Sequence, residues 1–196
     1  MYRKRLNRRI TIALFAFAVM ATVAVSARPE GGGTSAMQDL SNAQQLKGRF
    51  QQDSHKVKLI ALLSPVCPAC RSGFTDVQKI LKEIPDNRLR AYIIWLPMFP
   101  GDSRSWAQTR SDEFQDDRLS YYWDGSKLTG EEWATTLDLH TTAWDVYFLY
   151  GSEVEWKGGA PTPSFWMHQL GGVTKAPRLD KDELQRKVKE LVAAVK

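Results

Sequence analysis

Two apolar runs with an amphipathic stretch between them constrain this chain more than any other feature. Val57 to Leu63 is apolar except for Lys58, and Ala91 to Leu96 is a second such run. Runs of that length without polar alternation read as strands buried on both faces, as in a parallel sheet. Between them Phe74, Val77, Leu81 and Ile84 recur at helical spacing until Pro85-Asp86-Asn87 breaks the pattern. Strand, helix, strand within about 40 residues is a βαβ unit, which dictates parallel strands and a right-handed crossover.

The rest of the chain is arranged around that unit. Leu40, Ala43, Leu46 and Phe50 suggest a first helix over about 38–53. Short helices are expected near 103–115 and 127–138, and strands near 119–123, 144–150 and 164–170. Asp180 and Glu183 have capping-box spacing, and Leu184, Val188, Leu191, Val192 and Val195 form the apolar face of a last helix. The 98–162 stretch matches no simple pattern and reads as an insertion. It lies between the second core strand and the C-terminal part.

The N-terminus carries an address. Residues 1–27 hold five of the 27 basic residues and no acid, so the remainder balances at 22 basic against 22 acidic residues. The net charge of +5 therefore belongs to this leader. A body without positive excess has little to offer a phosphate backbone, and nucleic-acid binding is excluded. The apolar run Ile10 to Val25 spans 16 residues and is followed by Ser26-Ala27. That is short for a spanning helix, which needs about 20, and reads as a cleaved signal peptide. An uncleaved N-terminal membrane anchor is the alternative. Either way the body, 38–196 behind a flexible Gly-rich linker at 28–37, is expected outside the cytoplasm, periplasmic or secreted.

The chemistry sits between the first buried strand and the helix, in Ser64-Pro65-Val66-Cys67-Pro68-Ala69-Cys70. Two cysteines at i and i+3 in a first helical turn lie on one face within disulfide reach. At the N-cap, Cys67 meets unpaired N–H groups and the positive end of the helix dipole, which favour a thiolate. Pro68 suits the first helical position, where its missing N–H has no partner to lose. Arg71 adds a nearby positive charge. A free thiol with a pKa of about 8.5 is only a few per cent thiolate at neutral pH, whereas helix-start thiols of this spacing range down from about 7. Cys67 is thus the candidate nucleophile and Cys70 the candidate resolving cysteine.

This strand, Cys-Pro-Ala-Cys, helix, strand pattern is similar to the thioredoxin superfamily, over about residues 40–97 and the C-terminal helix. The resemblance implies an α/β fold: a thioredoxin-like three-layer sandwich around a central mixed sheet. It also implies thiol–disulfide oxidoreductase activity on protein thiols and disulfides, with no cofactor beyond the Cys67–Cys70 couple. A membrane redox partner is implied if the protein works as a reductant. Two positions depart from the thioredoxin pattern: Val66 replaces the Trp before the first Cys, and Ala61 replaces a buried acid. The family places a cis-proline opposite the dithiol at the start of a later strand. Pro163, before Ser164-Phe165-Trp166-Met167, is the preferred candidate and Pro161 the other. A rival alignment makes Trp144 to Tyr150 that strand and leaves no cis-proline.

Blander readings stand beside these. A structural disulfide closing so short a loop stabilises little. A closed zinc site needs four ligands, and only His55, His140 and His168 supplement the thiols; no metal ligand is assigned. Arg71 in place of a His after Cys70 excludes covalent haem attachment. A copper carrier and a non-catalytic binding module remain alternative functions on the same fold. All seven Trp residues fall between Trp95 and Trp166, which reads as core filling ahead of a docking surface.

Overall fold

The computed structural model describes residues 36–196; the expected leader and nearly all of the linker lie outside the described residues. Along the chain run β1 (Gln38–Asp39), α1 (Ala43–Gln52), β2 (Val57–Leu63), α2 (Pro68–Glu83), β3 (Leu89–Trp95) and α3 (Arg104–Asp112). They are followed by β4 (Leu119–Trp123), α4 (Leu128–Thr136), β5 (Val146–Tyr150), β6 (Phe165–His168) and α5 (Lys181–Ala194). The six strands form one sheet in the order β1-β4-β3-β2-β5-β6. The pairs β1–β4, β4–β3 and β3–β2 are parallel, whereas β5 runs antiparallel to β2 and β6 antiparallel to β5.

Side chains alternate across the strands and divide the interior into two apolar layers. Leu59, Ala61 and Leu63 of β2 join Ile93 and Trp95 of β3 and Tyr147 and Leu149 of β5 on one face. There they pack against Phe74, Val77, Ile80 and Leu81 of α2 and Leu184, Val188 and Val192 of α5. Ile60 and Leu62 turn the other way, with Ile94, Val146 and Phe148, onto Leu46 and Phe50 of α1 and Trp133 of α4. Helix, sheet, helix is the expected three-layer sandwich, and all seven residues of β2 are buried, as the apolar run requires. Each fully buried Leu, Ile or Phe contributes about 1.5–3 kcal/mol relative to exposure.

Two expectations are corrected. The first helix starts at Ala43; before it lies the edge strand β1, and just past that strand the Leu40 N–H donates to the Trp123 carbonyl. The 98–162 stretch supplies α3, β4, α4 and β5, and β5 lies directly beside β2. Its periodicity is weak because β4 and β5 have only five residues each and because α4 shows little amphipathic contrast. The second correction concerns Pro163. It lies in the β5–β6 connection, near the end of the sheet where Leu149 pairs with Phe165. The start of α2 adjoins the opposite end, where Leu62 pairs with Val146. All described peptide bonds are trans, that of Pro163 included. The strand beside β2 is the one preceded by Trp144-Asp145, as in the rival alignment.

Candidate functional site

Strand β2 ends at Leu63, and the chain turns through Ser64-Pro65-Val66 into α2. Cys67 is the N-cap of that helix and Pro68 its first residue. The Cys67 sulfur accepts a hydrogen bond from the Cys70 N–H at 3.5 Å, so an otherwise orphaned helix-start donor points at it. Both cysteines are free thiols. Cys67 is 7% exposed and Cys70 is fully buried, one turn inward. Arg71 is exposed, and its N–H donates to the Cys67 carbonyl.

The turn before Cys67 is held by a carboxylate that sequence reasoning missed. Asp102 accepts hydrogen bonds from the Val66 N–H at 3.0 Å, the Met98 N–H at 2.8 Å and the Phe99 N–H at 2.7 Å. Ser64 Oγ donates to the same carboxylate at 2.9 Å and accepts from the Cys67 N–H at 3.3 Å. Arg110 of α3 donates to the Pro65 carbonyl at 3.2 Å. The loop carrying the nucleophile is thereby tied to α3 and to the turn after β3.

A second missed acid stands on the other side of the dithiol. Because Val146 pairs with Leu62, the residue before β5 is carried to the end of β2 where the thiols sit. That residue is Asp145, 2% exposed, with a left-handed φ of 49°. Asp and Asn tolerate this conformation better than other residues with a Cβ. One carboxylate oxygen of Asp145 and the two sulfurs all lie within 4.8 Å of one another. The Tyr147 hydroxyl and the Gln169 amide each donate to Asp145 Oδ1 at 3.0 Å. Gln169 also donates to the Ala69 carbonyl at 3.0 Å, joining the β6 end to the dithiol turn. Tyr147 pairs in register with Ala61, and its hydroxyl lies where a Cβ on Gly73 would come within 1.7 Å, so only glycine fits there.

Burial pushes the Asp145 carboxyl above the ordinary carboxylate range; hydrogen bonds from Tyr147, Gln169 and Cys70 and the charge of Arg178 oppose it only in part. The Cys70 thiol is pushed far above its ordinary value, first by burial and then by the negative charge of Asp145. Among the described residues Cys67, Cys70 and Asp145 are the one group of three such donors close enough to share an ion, one short of a closed tetrahedral site.

His168, at the end of β6, is fully buried, and both ring nitrogens are committed. Nδ1 accepts from the Leu170 N–H at 3.0 Å, and Nε2 lies 3.1 Å from the Ala176 carbonyl. Of the tryptophans, Trp95, Trp133 and Trp156 are buried outright, in line with core filling. Phe99 and Trp106 are exposed, and Phe99 meets the half-buried Trp144 edge-on at 5.4 Å.

A dithiol at the N-terminus of the helix that follows the central strand, with an antiparallel strand on that strand's other side, decides the architecture. The fold is thioredoxin-like. Comparison with solved structures returns proteins of this class at low identity. A thiol:disulfide interchange protein of the thioredoxin family from Chlorobium tepidum has TM-score 0.47 and 13% identity, covering 72% of this chain and 83% of that one. A putative thioredoxin from Neisseria meningitidis has TM-score 0.48 and 15% identity, covering 74% and 79%. A secreted disulfide oxidoreductase of Mycobacterium tuberculosis has TM-score 0.43 and 13% identity, covering 72% and 86%. No family model matches the chain. No curated protein matches it either.

Proposed function

We propose that the chain is an extracytoplasmic thiol–disulfide oxidoreductase that exchanges disulfides with partner proteins. The observation that carries this reading is the Cys67 sulfur at the start of α2, with a fully buried Cys70 one turn behind it. Cys67 attacks a substrate disulfide, one substrate sulfur leaves as thiolate, and a mixed disulfide forms. Cys70 then attacks the Cys67 sulfur, releasing the second substrate thiol and leaving the Cys67–Cys70 disulfide. Run backwards, the same steps oxidise a substrate dithiol. The extracytoplasmic part of the reading rests on the charged and apolar pattern of residues 1–27. Among the described residues no helix is long and apolar enough to cross a membrane. The couple's reduction potential sets the direction of electron flow, and a reductant outside the cytoplasm draws on a membrane donor.

The test is alkylation of the reduced chain by iodoacetamide at mildly acidic pH, with each cysteine followed by mass. The expected outcome is rapid modification of Cys67 alone, with Cys70 spared by its burial and by the charge beside it. Equal, slow modification of both thiols sinks the proposal. Equilibration of the couple against glutathione then gives the potential, and with it the direction.

A further inference from the structure

We infer that Asp145 is a catalytic residue of the second exchange step, taking the proton of Cys70 as Cys70 attacks the mixed disulfide. The inference rests on the oxidoreductase reading and adds the proton's destination to it. Cys70 is fully buried, so bulk water cannot serve as its base. A thiol in that position must give its proton to a neighbouring group, because the thiolate is the nucleophile. The carboxylate of Asp145 lies within 4.8 Å of both sulfurs and is itself buried. Two donors fix its orientation, and both fall on Oδ1, so the other oxygen carries neither of them. Burial also raises the proton affinity of the acid above that of an ordinary carboxylate, which makes it a better base for this thiol than an exposed carboxylate would be.

The step balances. The S–H bond of Cys70 breaks and its proton passes to the Asp145 carboxylate. The electron pair left on Cys70 attacks the Cys67 sulfur, the bond between Cys67 and the substrate sulfur breaks, and the substrate leaves as a thiolate. The dithiol is oxidised and the substrate disulfide is reduced. In reverse, Asp145 returns the proton to Cys70 as the Cys67–Cys70 bond opens. The charged and titratable groups that bear on Asp145 are Cys67 and Cys70 at the start of α2, Tyr147 on β5 and Arg178 beyond β6, with Gln169 as an uncharged donor.

The test uses the reduced full-length chain and the aromatic disulfide 5,5′-dithiobis(2-nitrobenzoate), whose thiolate product absorbs visibly. Attack by Cys67 releases the first equivalent, and attack by Cys70 on the resulting mixed disulfide releases the second. In Asp145→Asn the first phase is expected to be no slower, because a negative charge beside Cys67 has been removed. The second is expected to slow about tenfold or more at neutral pH, within the range of general-base effects, and to lose its pH inflection. Asn suits the left-handed backbone and keeps an oxygen for Tyr147 and Gln169. Tyr147→Phe is the second probe: it keeps the carboxylate and removes one donor to it, so the inflection should move to higher pH. A second phase slowed less than tenfold in Asp145→Asn, or an unmoved inflection in Tyr147→Phe, overturns the assignment and leaves the dithiol reading standing. A wild-type chain that releases no second equivalent removes the dithiol reading, and the role of Asp145 with it.

Discussion

Lys58 shows what a single residue costs when an element's pattern overrides it. It interrupts the apolar run of β2 and is buried with the rest of the strand. Its ammonium sits 4.5 Å from the centre of the Phe50 ring and has no hydrogen-bond partner among the described residues. Burial pushes its pKa down, with the charges of Asp53 and Glu153 opposing. A lysine whose folded pKa lies below its unfolded one destabilises the fold at any pH where the unfolded chain holds the proton more tightly. Lys58→Met should therefore raise stability by about 1–3 kcal/mol near neutral pH, the gain shrinking as pH climbs toward the ordinary lysine value of about 10.4. Urea denaturation at two pH values checks both the sign and the trend. At this scale the site was half legible. Cys67 and Cys70 announce themselves because their relation is local, one helical turn in one segment. Asp145, Tyr147 and Gln169 do not, because only the pairing of β5 with β2, and of β6 with β5, brings them to the dithiol. The weak clue in the sequence was an Asp standing immediately before the Val146–Tyr150 run.

Between elements, the join of α1 to β3 depends on one carboxylate. Asp53, the C-cap of α1, is 3% exposed and accepts from the Tyr92 hydroxyl at 2.6 Å, from Lys56 at 2.9 Å and from Arg90 at 3.2 Å. Burial alone would raise its pKa, but these hydrogen bonds and the charges of Arg49 and Lys56 outweigh it and hold the carboxyl below the ordinary range. A depressed folded pKa contributes stability that is present above the unfolded value and lost as pH falls through the folded one. Asp53→Asn is expected to cost about 2–3 kcal/mol at neutral pH, typical of charge-assisted hydrogen bonds, and the difference from wild type should close in acid. Thermal melts at pH 7 and pH 3 measure it. The elements themselves were legible where they were long and strongly patterned. The buried run of β2 and the amphipathic faces of α2 and α5 are visible in the residues. The edge strand β1 was not, since a two-residue strand exists only because β4 is there to receive it.

Over the whole molecule, two apolar layers fix the sheet so firmly that the site can carry features that work against folding. A carboxylate buried beside two sulfurs is one of them. Because burial holds the Asp145 pKa above the ordinary carboxylate value, the folded state binds its proton more tightly than the unfolded state does. Stability from this group is fully present below the ordinary carboxylate pKa and is lost as pH rises through the folded value. Asp145→Asn should therefore be more stable than wild type at neutral pH, the advantage fading toward pH 4, by calorimetry on both proteins. The three-layer arrangement was readable from the βαβ unit. The strands within 98–162 were harder to read, although that stretch supplies two of the six. Short strands have too few residues to show a period, and their place in the sheet comes from partners distant in the chain. The left-handed backbone at Asp145 also bears on how this protein can vary by descent. Few residue types suit that bend, and the codons of Asp and Asn are neighbours, so drift there tends to switch the acid off while sparing the architecture.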